Sequence, residues 1–402
     1  MAGWSGRRKA LTILLFVAPT LIGVFLFSVY PFIFNGYISL TNRNQFHPNP
    51  DCTNTLTRLF EPTCWTGKAP QGMSTPFKLE EPLLSNYTDL FGDMFTGDGI
   101  GALARLLACF LPLVIAAQVN RRLDHTKARS QSPGTIRLFG WAGVVALIVL
   151  LDAPGAINLL TRSGDFIVVT LRTVLYVVIC VPLFFLVALI LALLLNTPNL
   201  KGRAIFRTIM IVPWAASTVA VMMSLVWQFF FRERGTINQV LAAIGLQGPS
   251  WLNDPVWAFV AVVIANIWYS YPFLMITILG ALQAIPADQY EAADLDGATW
   301  WNKLTQITLP LIRPAILPAL VLTSITTFQM FGTVWAITRG GPTGGAGVSG
   351  ATEMVMIYGY KQAFQLQEYG RTGAYAIIIF VVLFIATLYS LRVTRITQGA
   401  YE

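Results

Sequence analysis

Apolar residues dominate long stretches of this chain. Eight stretches are apolar, or nearly so, over a length that crosses about 30 Å of hydrocarbon when it is coiled as a helix. They lie at about 10–34, 100–119, 138–159, 167–195, 208–231, 256–280, 314–337 and 372–391. The pattern predicts an all-α polytopic membrane protein with about eight transmembrane helices.

Composition and charge narrow the class of protein. Of the 402 residues, 55% are apolar and 11% are charged, which leaves too little polar surface to cover a soluble globule. The net charge of +8 is divided among short loops beside the apolar stretches, so it forms no continuous basic face for a nucleic acid. If the N-terminus is cytoplasmic, the loops on that side carry the excess of Lys and Arg. The positive-inside rule therefore predicts that both termini are cytoplasmic.

Polar segments divide the chain into four predicted parts. Residues 1–40 form the N-terminus and the first transmembrane helix, and residues 41–99 form a proline-rich extracytoplasmic loop or small cap. Residues 100–160 form a hairpin of two spans. The remaining spans lie in a block at 166–396.

The four cysteines suggest little chemistry. Cys109 and Cys180 lie within apolar runs, where each is expected to be a small buried side chain. Cys52 and Cys64 lie in the external segment, where they either pair as a disulfide across a short loop or remain free thiols.

A polar segment at 283–312 separates two of the long apolar runs. It contains Glu291-Ala292-Ala293-Asp294, followed by Gly297, Ile307, Leu309 and Pro310. The alanines give a slim helical face, the glycine allows a sharp turn, and the proline limits where the next helix can continue. The pattern predicts a helix-turn-helix on the cytoplasmic side of the membrane.

This segment resembles the EAA signature of the permease subunits of binding-protein-dependent ABC importers. Other motifs are similar to the sugar-importing, maltose-type branch of that family. They are Ala18-Pro19, Tyr30-Pro31, Asn86-Tyr87, Leu194-Leu195-Asn196, Lys201-Gly202-Arg203, Val212-Pro213-Trp214 and Gly340-Gly341-Pro342. The resemblance covers 11–40 and 166–395, and it implies a type I importer permease core. The hairpin at 100–160 departs from the family's six-span arrangement.

The resemblance also implies partners. In the family, the short helix that begins at the Glu docks into a groove of a separate ATPase subunit. The candidate coupling residues are Glu291, Ala292, Ala293, Asp294, Gly297, Ile307, Leu309 and Pro310. The implied partners are a second permease subunit, two ATPase subunits, an extracytoplasmic sugar-binding protein and the lipid of a prokaryotic inner membrane. ATP and Mg²⁺ would be bound by the ATPase subunits, because this chain has no P-loop motif and is expected to bind no cofactor or metal and to catalyse no reaction.

Polar side chains inside the spans 256–280 and 314–337 mark a candidate solute pathway. Neither run has an acidic or basic residue in its interior, so the pathway suits a neutral, hydroxyl-rich solute such as a sugar. The alternative is that these side chains only hydrogen-bond between helices. The resemblance implies sugar-site roles for Asn266, Tyr269, Ser270 and Phe273. Helical spacing on the next span adds Thr323, Thr326, Thr327 and Met330, where the residue types differ from those of the maltose-type subunit.

The predicted function is the membrane-spanning subunit of an ATP-driven importer for maltose, trehalose or a related neutral oligosaccharide. A polyol or glycerophosphodiester permease is the alternative within the same class. A phosphate-bearing solute should recruit Arg or Lys, and only Arg105 and Arg172 approach the pathway, near its outer boundary. A secondary transporter should carry an ion-coupling acid within its spans, and a membrane enzyme should carry a convergent catalytic cluster. The sequence shows neither feature.

Overall fold

The structure is a computed structural model that describes residues 6–67, 75–92, 96–125, 133–162, 165–197, 200–215, 220–343 and 349–398. Helices make up nearly all of the regular structure in these ranges, so the predicted all-α membrane fold is confirmed. The predicted cytoplasmic termini, at 1–5 and 399–402, lie outside the described residues.

The chain divides into two compact units. One comprises Met1–Leu90 and Gly359–Val382, and the other comprises Phe91–Tyr358 and Leu383–Glu402. The hydropathy pattern places residues 359–382 in the block of later spans. The structure instead groups them with the first helix and the external segment, because the start of the last helix packs there.

The first unit combines a membrane helix with a small cap. Its elements are α1 (Gly6–Val24), a π-helical turn (Phe25–Val29), α2 (Tyr30–Ile38), β1 (Asn49–Pro50), α3 (Thr55–Phe60), α4 (Pro62–Trp65), β2 (Pro76–Phe77) and α5 (Ser85–Phe91). The two short strands pair in parallel. A disulfide joins Cys52 to Cys64, whose Cα atoms are 5.3 Å apart, so the structure has the bonded form of the two alternatives.

Backbone contacts fasten the cap to the end of α2. The buried amide of Asn86 donates hydrogen bonds to the carbonyl oxygens of Ser39, at 3.0 Å, and Thr41, at 2.9 Å. The Gly370 N–H donates to the Arg43 carbonyl oxygen at 2.9 Å. Gly370 lies so close to the Thr41 carbonyl oxygen that a Cβ atom would collide with it. This glycine therefore allows the close approach of the two segments.

We expect Gly370→Ala to weaken this junction. The new methyl group would push against backbone rather than a movable side chain, and such overpacking costs about 1–3 kcal/mol. The measurement is the rate of limited proteolysis of the cap in detergent, which should rise. Gly23→Ala is the matched control, since no atom lies within 4 Å of a Cβ at that position. Equal proteolysis of the two variants would contradict the close-approach argument.

The second unit contains most of the later helices. They are α6 (Gly97–Cys109), α7 (Leu111–His125), α8 (Pro133–Leu150), α9 (Ala153–Arg162), α10 (Asp165–Asn196), α11 (Arg203–Ala215), α12 (Ala220–Phe230), α13 (Thr236–Ala243), α14 (Pro255–Gln283), α15 (Ala287–Leu295), α16 (Trp300–Asn302), a π-helical segment (Lys303–Thr308), α17 (Leu309–Phe328) and α18 (Gly332–Thr338). The chain continues through α19 (Val355–Tyr360), a π-helical turn (Lys361–Gln365) and α20 (Tyr369–Gln398), which belong partly to each unit.

Six segments of the described chain are long and apolar enough to cross a membrane. They are Thr12–Ile38, Gly97–Val119, Asp165–Asn196, Pro255–Gln283, Trp300–Phe328 and Tyr369–Ser390. The predicted span 138–159 is divided into α8 and α9 by a turn at Asp152, whose φ of 47° is left-handed. The predicted span 208–231 contains α11 and α12, with residues 216–219 between them outside the described part. Within the described residues, helix length and hydropathy therefore support six of the about eight predicted spans.

The core of the second unit lies where α10, α14 and α17 pack together. Its buried side chains include Phe184, Met275, Ile278 and Ile312. The hairpin helices α7 and α8 approach closely through small residues, because a Cβ on Gly140 would press against Ala116.

Candidate functional site

A cavity of about 510 Å³ lies among α11, α14, α17 and the start of α18. Its described lining consists of aromatic, hydroxyl, amide and aliphatic residues. They are Trp214, Tyr269, Ser270, Phe273, Leu322, Thr323, Thr326, Gln329, Met330, Phe331 and Gly332. None of these side chains is a carboxylate, an ammonium or a guanidinium, so the described wall of the cavity carries no formal charge.

Hydrogen bonds at the start and near the middle of α14 position the wall that this helix contributes to the cavity. Asp254 caps the helix by accepting hydrogen bonds from Val256 N–H and Trp257 N–H, at 2.9 and 3.0 Å. Further along, the Tyr271 hydroxyl donates to the Met210 carbonyl oxygen at 3.1 Å, which ties α14 to α11. The Tyr271 bond therefore holds the cavity-facing part of α14 against α11, and the Asp254 cap fixes where α14 begins.

Aromatic rings form two sides of the cavity. Trp214 of α11 and Phe273 of α14 have ring centroids 5.8 Å apart. Phe331, which precedes α18, stacks on Trp335 with a centroid distance of 5.6 Å. The rings present flat apolar faces that can pack against the C–H face of a solute.

A break in the helix path forms the third side. α17 ends at Phe328 and α18 begins at Gly332, so Gln329, Met330 and Phe331 leave the helix beside the cavity. The apolar run predicted one span at 314–337, and the structure corrects this to two helices. Interrupted helices beside a buried cavity are typical of solute sites in transporters, because backbone groups at the break can reach the solute.

The serine and threonine hydroxyl groups at the cavity direct their hydrogens into the protein. Thr323 donates to the Ala319 carbonyl oxygen at 2.8 Å, and Thr326 donates to the Thr323 carbonyl oxygen at 3.0 Å. Ser270 donates to Asn266 Oδ1 at 3.0 Å. A hydroxyl oxygen that has used its hydrogen keeps its lone pairs. These three oxygens therefore offer acceptors to a solute that has hydroxyl donors.

The structure brings six of the eight predicted substrate residues to this cavity. They are Tyr269, Ser270, Phe273, Thr323, Thr326 and Met330. Asn266 and Thr327 do not line it, and their roles in the substrate site stay predictions. Asn266 is fully buried one helical turn behind Ser270, and Thr327 is 1% exposed because it follows Thr326 by one residue and points to a different side of α17.

Five lining residues were not predicted as site residues, namely Trp214, Leu322, Gln329, Phe331 and Gly332. The motif at 212–214 and the polar Gln329 were visible in the sequence. They lie at the cavity because α11 packs on α14 and because the helix path breaks after α17. A hydropathy pattern predicts neither of these tertiary features.

The polar segment forms a second candidate site. α15 is followed by a turn in which Gly297 adopts a left-handed φ of 70°, and its N–H donates to the Asp294 carbonyl oxygen at 3.1 Å. Lys303 pairs with the Asp294 carboxylate at 2.6 Å, and the Tyr290 and Thr308 hydroxyls lie 2.9 Å apart. These contacts tie α15 to the helix that follows.

The predicted coupling residues divide into exposed and packed groups. Glu291, Ala292, Asp294 and Gly297 are exposed, whereas Ala293 is buried and Ile307, Leu309 and Pro310 are partly buried. Because proline has no N–H, Pro310 cannot continue the regular α-helical hydrogen-bond ladder, and a π-helical segment precedes it.

Apolar side chains surround the acidic ones on this surface. Leu295 is 90% exposed, and Trp300 and Trp301 are 63% and 62% exposed. Large exposed apolar residues beside charged residues are typical of a surface that docks another protein. These three residues are not among the coupling residues predicted from the sequence.

Residues 185–399 match the family model described as the inner membrane component of binding-protein-dependent transport systems. The matched region contains both the cavity and the polar segment. The chain belongs to this family. It is thus a multi-pass component of an inner membrane, and the inserted hairpin at 100–160 lies outside the family match.

Relatives of this permease are transport proteins. It is 35% identical over 236 residues to the trehalose/maltose transport system permease protein of Thermococcus litoralis, covering 58% of this chain and 72% of that protein. It is 36% identical over 240 residues to the lactose transport system permease protein of Rhizobium radiobacter, covering 58% and 79%. A maltose/maltodextrin transport system permease protein of Vibrio vulnificus is 35% identical over 240 residues, but the match spans only 46% of that relative.

Proposed function

We propose that this permease is the membrane-spanning subunit of an ATP-driven importer that moves a neutral sugar delivered by an extracytoplasmic binding protein. The observation that carries the proposal is the uncharged cavity, in which aromatic faces lie beside hydroxyl oxygens that are free to accept hydrogen bonds. The relatives named for trehalose, maltose and lactose transport support the same solute class.

The cavity chemistry favours a sugar over an ionic solute. A sugar has apolar C–H faces for the rings of Trp214, Phe273 and Phe331, and hydroxyl donors for the Ser270 and Thr326 oxygens. A volume of about 510 Å³ lies within the range of small-molecule sites. A phosphate group would need cationic partners, and the described lining supplies none.

The polar segment is the proposed docking site for the ATPase. Glu291 extends a carboxylate from α15, while Leu295 and Trp300 offer apolar area next to it. The proposed complex contains a second permease subunit and two ATPase subunits that bind ATP and Mg²⁺. Both termini of this chain lie in the cytoplasm in this arrangement, on the same side as the polar segment.

The subunit composition is tested by a pull-down of the tagged chain in a gentle detergent, followed by mass spectrometry. We expect to recover a P-loop ATPase and a second permease with its own EAA-type segment. A chain that purifies alone and still transports after reconstitution without ATP would contradict the proposal.

Loss of an aromatic wall should weaken solute binding. We expect Trp214→Ala to raise the KM for maltose uptake about tenfold in the assembled transporter, because ring packing against the sugar is removed. Initial rates of labelled maltose uptake measure this change. Trp141→Ala is the matched control, since Trp141 is 59% exposed on α8 and lies outside the family match. An equal KM for both variants would remove Trp214 from the site.

A further inference from the structure

A buried polar cluster lies directly behind the cavity wall. Tyr176 and Cys180 are one turn apart on α10, and Asn266 faces them from α14. All three side chains are fully buried, at 0% exposure. The Tyr176 ring also packs edge-on against Phe259 of α14, with centroids 5.8 Å apart. The cluster is therefore held in one place by the packing of α10 on α14.

Two polar atoms of this cluster have unmet hydrogen-bonding needs. Among the described residues, neither the Tyr176 hydroxyl oxygen nor the Asn266 Nδ2 has a hydrogen-bond partner. Buried polar groups in native proteins are nearly always paired, and leaving both atoms unpaired is costly. A phenol oxygen can accept from an amide N–H₂, so the two neighbouring groups are complementary.

The oxygen atom of the Asn266 side-chain amide already accepts a hydrogen bond. This atom, Oδ1, accepts the hydrogen bond from Ser270 Oγ at 3.0 Å, and Ser270 lines the cavity. The direction of this bond decides what Ser270 offers to a solute. With Oδ1 facing it, Ser270 uses its hydrogen on Asn266 and presents only acceptor lone pairs to the cavity. With the amide turned over, Ser270 would accept from Nδ2 and could donate its own hydrogen to the solute.

We propose that the Tyr176 hydroxyl oxygen accepts the hydrogen bond of Asn266 Nδ2, two atoms that the structure leaves unpaired. Tyr176 is then a positioning residue that fixes the orientation of the Asn266 amide and thereby makes Ser270 a hydrogen-bond acceptor for a sugar hydroxyl. This inference rests on the proposed function, because it assigns a hydroxyl-bearing solute to the cavity. Tyr176 does not touch the solute and acts only through Asn266. Replacing Tyr176 with Phe keeps the ring packing but removes the acceptor for Nδ2, so the amide loses its preferred orientation.

The experiment measures uptake kinetics of the complete transporter with labelled maltose and with maltose analogues that each lack one hydroxyl. We expect Tyr176→Phe to raise the KM for maltose about three- to tenfold, with the maximal rate within about twofold of the parent. One analogue lacks the sugar hydroxyl that donates to Ser270. The ratio of its KM to that of maltose should fall in Tyr176→Phe, and the same ratio for the other analogues should stay unchanged.

Tyr389→Phe is the matched control. It also removes one tyrosine hydroxyl from a membrane helix, but Tyr389 is 71% exposed on α20 and is not among the residues that line the cavity. Its KM for maltose should equal that of the parent.

A double-mutant comparison separates positioning from a general structural role. In a Ser270→Ala background, Tyr176→Phe should raise the KM no further, because the group through which it acts is gone. An unchanged KM in Tyr176→Phe, or full additivity of the two changes, would overturn the proposal while leaving the sugar-importer function intact. If the parent transporter takes up no sugar, the proposed function itself fails, and the role of Tyr176 fails with it.

Discussion

Glu291→Lys is expected to abolish transport and solute-stimulated ATP hydrolysis while the protein is still inserted in the membrane. Glu291 is exposed on α15, and in the proposed complex its carboxylate would meet basic side chains of the ATPase. A lysine there would replace an attraction with a repulsion between like charges, which lowers binding by at least about thirtyfold. The effect should appear as loss of the ATPase subunit from the purified complex.

The measurements are ATPase recovery in a pull-down, ATP hydrolysis with and without solute, and uptake. Gln289→Lys is the matched control. It adds a lysine to the same helix two residues away, on the opposite side of α15, where we expect near-normal assembly. Normal uptake by Glu291→Lys, or equal loss in the two variants, would contradict the docking role of Glu291.

Filling the cavity is the second change with a large expected effect. We expect Thr326→Trp to reduce sugar uptake to background, because an indole group would occupy much of the space between α14 and α17. Thr326 is exposed toward this space, so the larger side chain can enter it without disrupting the buried core. Basal ATP hydrolysis and assembly with the ATPase should continue, since the polar segment is unchanged.

Leu107→Trp controls for the added bulk. Leu107 is 64% exposed on α6 of the inserted hairpin, outside the family match. Its uptake rate should be close to that of the parent. Substantial sugar uptake by Thr326→Trp would show that the solute does not pass through this cavity.

The polar segment could be predicted well because its signals are local. The spacing from Glu291 to Gly297 predicts a helix followed by a sharp turn, and Gly297 does adopt a left-handed φ of 70°. Chain chemistry alone sets such a turn. The exposure of Trp300 and Trp301 was not predicted, because an indole in a short polar segment is equally compatible with burial.

The cavity could be predicted only in part. Helical spacing selected Thr323, Thr326 and Met330, which line the cavity, but it also selected Thr327, whose side chain is buried. Spacing identifies one face of a helix only to within about one residue, since each residue turns by about 100°. Trp214 and Phe331 come from other elements, so their place at the cavity depends on tertiary packing.

The number of spans illustrates the limit of hydropathy. Asp152 and Asn158 are the two polar side chains in the otherwise apolar run 138–159, and the structure ends α8 at Leu150, shortly before Asp152. Asp152 then accepts a hydrogen bond from Gly155 N–H at 3.1 Å, as a helix-capping residue does. The Asp-Ala-Pro sequence at 152–154 was the available signal for this turn. The break at 329–331 had a weaker signal, because Gly332 alone does not end a helix.

The most direct test of the proposed function is sugar uptake by proteoliposomes that contain the purified transporter, with its binding protein outside and ATP either inside or absent. We predict that labelled maltose or trehalose accumulates only when ATP and the binding protein are both present, and that glycerophosphodiesters do not compete. Uptake that proceeds equally without ATP, or competition by glycerophosphodiesters with no uptake of either sugar, would contradict the proposal of an ATP-driven importer for a neutral sugar.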